Sequence, residues 1–400
     1  MKKLLKEGFG SLLGILAIVF LTQPVQAIPA FAKKHNLSCT DCHSTFPKLN
    51  AFGRNFKARG YRLEEELEGE IQRNQEISKD LVLEKSFPFS ALIKGYAFDK
   101  KKNKDAKTRG LHELELMIGG NVFENISVWA EIEAEDENDF SPALEMGVIG
   151  FHLSPYANIS VGYGPYFWND PYDTLADWGR RMTRAHKAPF DVTKSYGSGV
   201  RLRKSNQFIS FYGKTNNVYY SLGYHRDLSD PEGGGGEDIS ARAAVEFTPE
   251  FGGTAANISV GGFGVFGKQG GRGDEGTDFS RYGVDLQAEI GDGFNLLFVY
   301  LFAQDDLAPA GVEEEKNNSL YGELFWVFHN EDSAPTFVPL VRIENYEKND
   351  GSVSYTDLTL NCSYFLVQNV KLSIEYWTNL SVPTGIAKGN RITAFFTLLF

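Results

Sequence analysis

From residue 87 to the end, the chain alternates apolar and polar positions with a period of two. In 126–134, Ile126, Val128, Ala130, Ile132 and Ala134 share one side, and Ser127, Trp129, Glu131 and Glu133 share the other. Segment 370–376 sets Val370, Leu372, Ile374 and Tyr376 against Lys371, Ser373 and Glu375. Segment 282–290 sets Tyr282, Val284, Leu286, Ala288 and Ile290 against Gly283, Asp285, Gln287 and Glu289. Period two places such sets on opposite faces of a strand. The segments run about 9–11 residues, the length of a membrane-spanning strand. Turns rich in Gly, Asn and Asp separate them, which predicts a mainly β structure.

A soluble sandwich also alternates. Three features favour an outer-membrane antiparallel β-barrel. The chain closes on a strand with Ile392, Ala394, Phe396, Leu398 and Phe400 on one face, an aromatic ending similar to the assembly signal of such barrels. Connections alternate in length. Short ones are expected at Gly119–Asn121, Ser154–Asn158, Gly291–Gly293 and Val367–Asn369, and longer charged ones at 99–109, 135–142, 227–238, 268–279 and 305–318. Short periplasmic turns facing long outer loops characterise these barrels. Third, the first residues read as an export signal: Lys2, Lys3 and Lys6, an apolar run from Leu12 to Leu21, and Val25-Gln26-Ala27 before a cleavage point. That run is shorter than the roughly 20 residues a spanning helix needs.

The pattern gives about sixteen strands, an even number that sets both barrel ends in the periplasm. Asn206–Gly213 reads either as a strand or as a long turn, which leaves fourteen or eighteen open. The chain thus divides into a signal peptide (1–27), a helix-prone, polar segment with its linker (28–87), and a barrel (88–400).

The longest connection, 165–195, is the third outer loop. It carries Trp168, Trp178, Arg180, Arg181, Arg184, His186 and Lys187 and is expected to fold into the lumen. There it would face Glu131, Glu133, Asp285, Glu289 and Glu375. Either an ordinary porin constriction or contacts to the acidic groups of a bound cofactor would use it.

Formal net charge is −12, and losing Lys2, Lys3, Lys6 and Glu7 with the signal takes away +3 − 1 = +2, leaving −14. Nucleic acid is excluded as a partner, since its binding needs a basic face. Cations suit the chain better. Cys362 stands alone in a strand-like segment, where a free cysteine packs as a small apolar residue.

Cys39-Thr40-Asp41-Cys42-His43 carries the chemistry. CxxCH is a c-type haem attachment motif. Two thiols add across the haem vinyls, and the following His43 becomes the proximal iron ligand. The rival readings are a CxxC redox pair or half a zinc site, which needs further close ligands. One covalent haem c is therefore expected on Cys39, Cys42 and His43. A short helix should follow, with Phe46, Leu49, Phe52 and Phe56 on one face, Thr45 or a neighbour as cap, Pro47 in the first turn and Gly60 at the end. Those phenylalanines would pack on the haem or the barrel wall. Arg54, Lys57 and Arg59 fall on other faces.

No distal ligand is evident. The candidates are His35, Met182 and His186, with Met117 and Met146 projecting from strands; water or an open position is the other option. His112, His152, His225 and His329 read as ordinary strand or rim residues. Gly233–Gly236 is a flexible loop without the strand-to-helix setting of a phosphate cradle, and Arg272-Gly273-Asp274 is a chance tripeptide.

The segment Pro29-Ala30-Phe31-Ala32, Leu37-Ser38-Cys39-Thr40-Asp41-Cys42-His43, Phe46-Pro47, Leu49, Phe52-Gly53-Arg54, Phe56-Lys57 and Gly60-Tyr61 resembles the haem segment of the fused outer-membrane monohaem cytochrome–porins of iron(II)-oxidising bacteria. The resemblance covers residues 29–63. It implies one covalent haem in the lumen or at the periplasmic mouth of a barrel. It also implies electrons passing from extracellular Fe(II) to a periplasmic carrier such as a cytochrome, and hence a possible iron(II) oxidase activity. No iron-binding residue carries over. Glu135-Asp136-Glu137 and Glu313-Glu314-Glu315 could concentrate Fe(II), or could be solvated loops. Reverse flow to outside acceptors, a porin with a haem-bearing plug or redox gate, and a diffusion porin with an inert remnant are the other readings.

Overall fold

The computed structural model describes residues 30–63, 75–78, 81–83, 89–123, 125–174, 182–184, 202, 205–226, 236–269, 277–306, 314–348 and 351–400. Its main feature is a closed antiparallel barrel. The first eight long strands are β1 (Phe89–Lys101), β2 (Lys107–Phe123), β3 (Ile126–Glu135), β4 (Ala143–Ser154), β5 (Ala157–Pro165), β6 (Ser205–Lys214), β7 (Val218–Arg226) and β8 (Glu237–Phe247). The next eight are β9 (Thr254–Gln269), β10 (Thr277–Ile290), β11 (Phe294–Asp305), β12 (Glu315–Trp326), β13 (Pro335–Lys348), β14 (Val353–Val367), β15 (Val370–Ser381) and β16 (Asn390–Leu399). Among the described residues these sixteen form the wall. Two-residue pairings at Glu250–Phe251 and Phe328–His329 only border turns. β16 pairs with β1, from Arg391↔Lys101 to Leu399↔Leu92, so no strand edge is left open.

The alternation is realised inside out. Along β8, Asp238, Ser240, Arg242 and Glu246 are buried, whereas Ile239, Val245 and Phe247 are exposed. β15 does the same with Lys371, Ser373 and Glu375 inside and Leu372 and Ile374 outside. A polar interior and an apolar exterior suit a wall set in hydrocarbon. Aromatic chains mark both rims: Phe266, Tyr282 and Phe302 toward the long loops, and Phe294, Trp326, Phe328 and Phe337 toward the short turns. Such girdles flank the apolar band of membrane barrels. Cys362 lies on the outward face of β14, exposed.

Two expectations change and one open reading is decided. Gly119–Asn121 lies inside β2, which runs 17 residues on to Phe123, and β3 begins at Ile126. Paired glycines weakened the strand pattern there, yet their backbones still bond to β3 at Trp129 and Val128. Asn206–Gly213 is strand, within β6, which fixes the number of long strands at sixteen. Glu315 is the buried first residue of β12 and so leaves the expected acidic loop, whereas Glu314 is exposed and pairs with Lys316 at 3.0 Å, and Glu313 lies outside the described residues.

The described parts of the third loop do enter the lumen. Tyr166, Phe167, Trp168, Asp170, Tyr172, Thr174 and Thr183 are all buried. Gln287 Nε2 donates to Tyr172 O at 2.9 Å, and Arg342 Nη1 to Thr183 Oγ1 at 2.8 Å. Arg184 places its guanidinium over the Tyr96 ring and its backbone N–H on Glu375 Oε2 at 2.7 Å. Trp178, Arg180, Arg181, His186 and Lys187 lie outside the described residues, as do Gly233–Gly235 and Arg272-Gly273-Asp274. The wall also supplies its own cations to the acidic lumen: Arg242 meets Asp285 at 2.6 Å and Arg342 meets Glu344 at 3.1 Å.

Candidate functional site

The N-terminal segment sits inside the barrel at the short-turn end. Its three helices are α1 (Ala30–His35), α2 (Cys39–Cys42) and α3 (Ala51–Ala58). Ser38 N and Oγ both donate to Asp41 Oδ2, at 2.6 and 3.0 Å, which closes the start of α2. One helical turn puts Cys39 and Cys42, three apart, on the same side. His43 then leaves the helix into an extended strand, His43–Thr45, paired with Lys48–Leu49.

Asn50 organises the site, which the sequence reading missed. Its Oδ1 accepts from Gly53 N at 2.9 Å and so caps α3 in place of Thr45. Its Nδ2 donates to Thr40 O and Asp41 O at 3.1 and 3.0 Å, and its N–H to Cys42 O at 3.0 Å. One side chain thereby ties the cysteine turn to the next helix. Gly53 lets them close: a Cβ there would stand 2.1 Å from Cys42 O. Pro47 falls in the hairpin before α3, not in its first turn. Gly60, at φ +70°, ends the helix as expected, and its bare Cα rests against His152.

Arg54 and Lys57, read from sequence only as residues of other faces, are buried anchors. Arg54 binds Glu289 at 2.6 Å, Glu246 at 3.2 Å and Asn257 Oδ1 at 2.8 Å. Burial opposes its charge, but Glu289 and then Glu246 outweigh that, so its pKa rises. Lys57 Nζ donates to Asp170 O and Asp173 Oδ1, at 2.7 and 2.6 Å, and lies over the Trp168 ring. Cys39 N donates to Gln368 Oε1 at 3.0 Å, and Ala30 N to Ser90 Oγ at 2.7 Å. The signal was a cluster of cations one helical turn apart in an otherwise acidic chain.

Between this plug and the wall lies a cavity of about 1240 Å³, counting solvent at its mouth. Cys39, Cys42, His43, Phe46, Leu49 and Phe56 line it from the plug. Ser90, Leu92, Glu115, Met117, Trp129, Glu131 and Leu399 line it from β1, β2, β3 and β16. Phe52, expected on this face, is instead 43% exposed. Phe31 and Tyr61 complete the aromatic lining, stacked 4.7 Å apart and against Trp129.

The distal candidates separate clearly. Met117 lines the cavity. Met146 is buried in an apolar cluster with Val148, Trp168 and Phe208, and Met182 packs beside Phe46 against Phe325 and Phe365. The His35 ring stands edge-on to Phe56 at 5.4 Å and is not on the lining. The wall histidines are held in place. His152 bonds Asn158 and Ser127 at 2.9 Å each, His225 bonds Ser240 at 2.8 Å, and His112 bonds Asp136 at 2.9 Å. His329 is in a two-residue pairing at the short-turn rim. Asp136 is also bound by Arg109, so it is not a free outer-loop acid.

The donor set fits a covalent haem. His43 Nδ1 lies 3.1 Å from Pro47 O. A carbonyl only accepts, so Nδ1 carries the proton and Nε2 the lone pair that an iron needs. Burial, with Asp41 adding to it, pushes the Cys42 thiol up to about 12, and burial raises Cys39 too. A CxxC redox pair needs the opposite, a thiolate near neutral pH. Among the described residues, no trio of close His, Cys or carboxylate groups includes either cysteine, which disfavours zinc.

The chain matches no family model, and no curated protein matches it. Solved structures do. The anion-selective porin from Comamonas acidovorans shares a TM-score of 0.57 at 13% identity, over 78% of this chain and 98% of that one. OmpF of Salmonella typhi, in complex with daunomycin, gives 0.54 at 11%, over 79% and 98%. OmpT of Vibrio cholerae gives 0.53 at 11%, over 79% and 97%.

The fold is that of an outer-membrane porin. In this porin-like barrel the third loop and the N-terminal segment share the lumen, and Lys57 joins them. The likeness concerns the barrel fold alone.

Proposed function

We propose that this chain is an outer-membrane cytochrome–porin that carries electrons between extracellular Fe(II) and a periplasmic carrier, a soluble cytochrome by chemistry. The observation that supports this most is the placement of Cys39, Cys42 and His43 on a cavity inside the lumen, with the His43 tautomer set by Pro47. The apolar exterior and the likeness to porins support a position in the bacterial outer membrane, in contact with its lipid. A c-type haem, when bound, supplies a one-electron couple, and one Fe(II) becomes Fe(III) for each electron given up.

The chain's own part is positional. Cys39 and Cys42 would hold the porphyrin by thioethers, and His43 Nε2 would ligate the iron. Phe31, Phe46, Phe56 and Trp129 would keep water from it. Arg54 and Lys57 fix the plug across the membrane-spanning wall, so that a redox centre lies inside an otherwise insulating bilayer.

Two measurements test this. Denatured, gel-separated protein should stain for haem peroxidase activity. Outer-membrane fractions should show reduction of haem c when Fe(II) is added. A stained protein that Fe(II) leaves oxidised removes iron as donor and points to export of electrons to outside acceptors. The anchoring of the plug by Arg54 and Lys57 favours one second reading, a porin with a redox-responsive plug. Conductance that follows haem redox state without turnover would select it.

A further inference from the structure

The next inference rests on the haem reading above. Lumen-facing positions of β2 run Glu113, Glu115, Met117, Gly119, a polar column interrupted by one thioether. That thioether lies on the cavity whose plug side carries Cys42 and His43. The other metal donors on the lining have other engagements or the wrong chemistry; the Tyr61 ring is stacked on Phe31 at 4.7 Å. Lys57 is held by Asp170 and Asp173 at 2.7 and 2.6 Å. Glu115 is paired with Lys94 at 2.8 Å, and Glu131 is a hard carboxylate, which suits haem iron less than a soft sulfur does. Met146 and Met182 belong to apolar clusters elsewhere.

We propose that Met117 Sδ is the distal axial ligand, supplied by the barrel wall opposite His43 of the plug. Methionine has three rotatable bonds and a polarizable sulfur, so it adapts to a ligand position reached from a rigid strand. Histidine–methionine ligation raises a haem potential relative to bis-histidine ligation. The site is then composite. Neither the plug nor the barrel alone provides both axial ligands, so iron ligation reports whether the plug is seated.

The test uses full-length protein purified in detergent. Covalent haem is verified first by peroxidase staining after denaturation, and its absence overturns the haem reading itself. With haem present, wild type should be six-coordinate and low-spin in both oxidation states. Its ferric form should show the weak near-infrared band of methionine-to-iron charge transfer, and its ferrous form should not bind carbon monoxide. Met117→Leu should lose the band, turn high-spin when ferric, and bind carbon monoxide when ferrous. Met117→His should restore a low-spin spectrum without the band and with a lower potential. Met146→Leu should change none of these. A wild type lacking the band, or a Met117→Leu protein that keeps it, overturns the assignment. Should Met117→Leu not fold, the wild-type spectrum and Met117→His decide.

Discussion

The guanidinium of Arg54 meets the carboxylate of Glu289 inside the barrel, nitrogen to oxygen at 2.6 Å, and this contact joins a 34-residue described segment, 30–63, to the wall. Glu246 and Asn257 complete the shell around the same guanidinium. Such a charge is tolerated in the interior only because its partners are all present.

Removing it should therefore be costly. Arg54→Ala leaves Glu289 without its cation, while Glu246 keeps Lys214 at 2.9 Å, a loss of about 3–5 kcal/mol for breaking a buried pair. The expected outcome is a barrel that still resists protease while the plug becomes cleavable, and single-channel conductance that rises. Arg54→Lys should rescue only in part, because an ammonium cannot make the forked contact.

Gly53→Ala tests the packing of the haem turn. Its new Cβ would stand 2.1 Å from Cys42 O, so α2 and α3 must separate. Overpacking of this kind costs about 1–3 kcal/mol. Covalent haem yield, read by the peroxidase stain, should fall while barrel assembly, read by heat-modifiable gel mobility, stays normal.

Cys42 in protein lacking haem should be a sluggish nucleophile. With its pKa raised from 9.0 to about 12 by burial and Asp41, the thiolate fraction at pH 8 is lower by about 10³. The sign follows. The unfolded thiol ionises first as pH rises, so the folded state is favoured below pH 9 and loses that advantage between 9 and 12. Alkylation of folded, haem-free protein should accelerate steeply over this range, whereas denatured protein should react readily at pH 8.

Asp136 makes the opposite case at the outer rim. The Arg109 hydrogen bonds, with His112 assisting, bring its carboxyl down to about 2. The stability it adds is present above the unfolded value near 3.8 and disappears as pH falls toward 2. Asp136→Asn should remove that acid-sensitive component. Proteolysis of the 136–142 loop followed between pH 5 and pH 2 checks it.

Much of the barrel was legible because period two survives wherever one face meets lipid and the other water, as in 370–376. The failures have particular causes. Gly119 and Gly120 resemble a turn, yet their backbones pair with β3. Glu315 carries a charge but heads a strand inside a polar lumen, so charge did not mark a loop there. At the site, Cys39, Cys42 and His43 were readable from spacing. Arg54, Lys57 and the place of Met117 were not, since their partners lie up to 235 residues away, as Arg54 and Glu289 do; Asn50 has near partners, Thr40 and Asp41, but only the hairpin between them brings the two together. The expected helix face of Phe46, Leu49, Phe52 and Phe56 did not form: Phe46 and Leu49 reach the cavity from the hairpin before α3, and of the two on the helix only Phe56 lines it.

The seam between β16 and β1 has one more implication. Leu92 and Leu399 belong both to that seam and to the chamber beside His43. This ladder joins the chain's most distant strands, so its closure entropy is the largest and its formation comes late. On the proposed reading, sealing the cylinder and enclosing a haem would be one event. Attachment to Cys39 and Cys42 would have to precede it, and a chain that closed early would remain colourless.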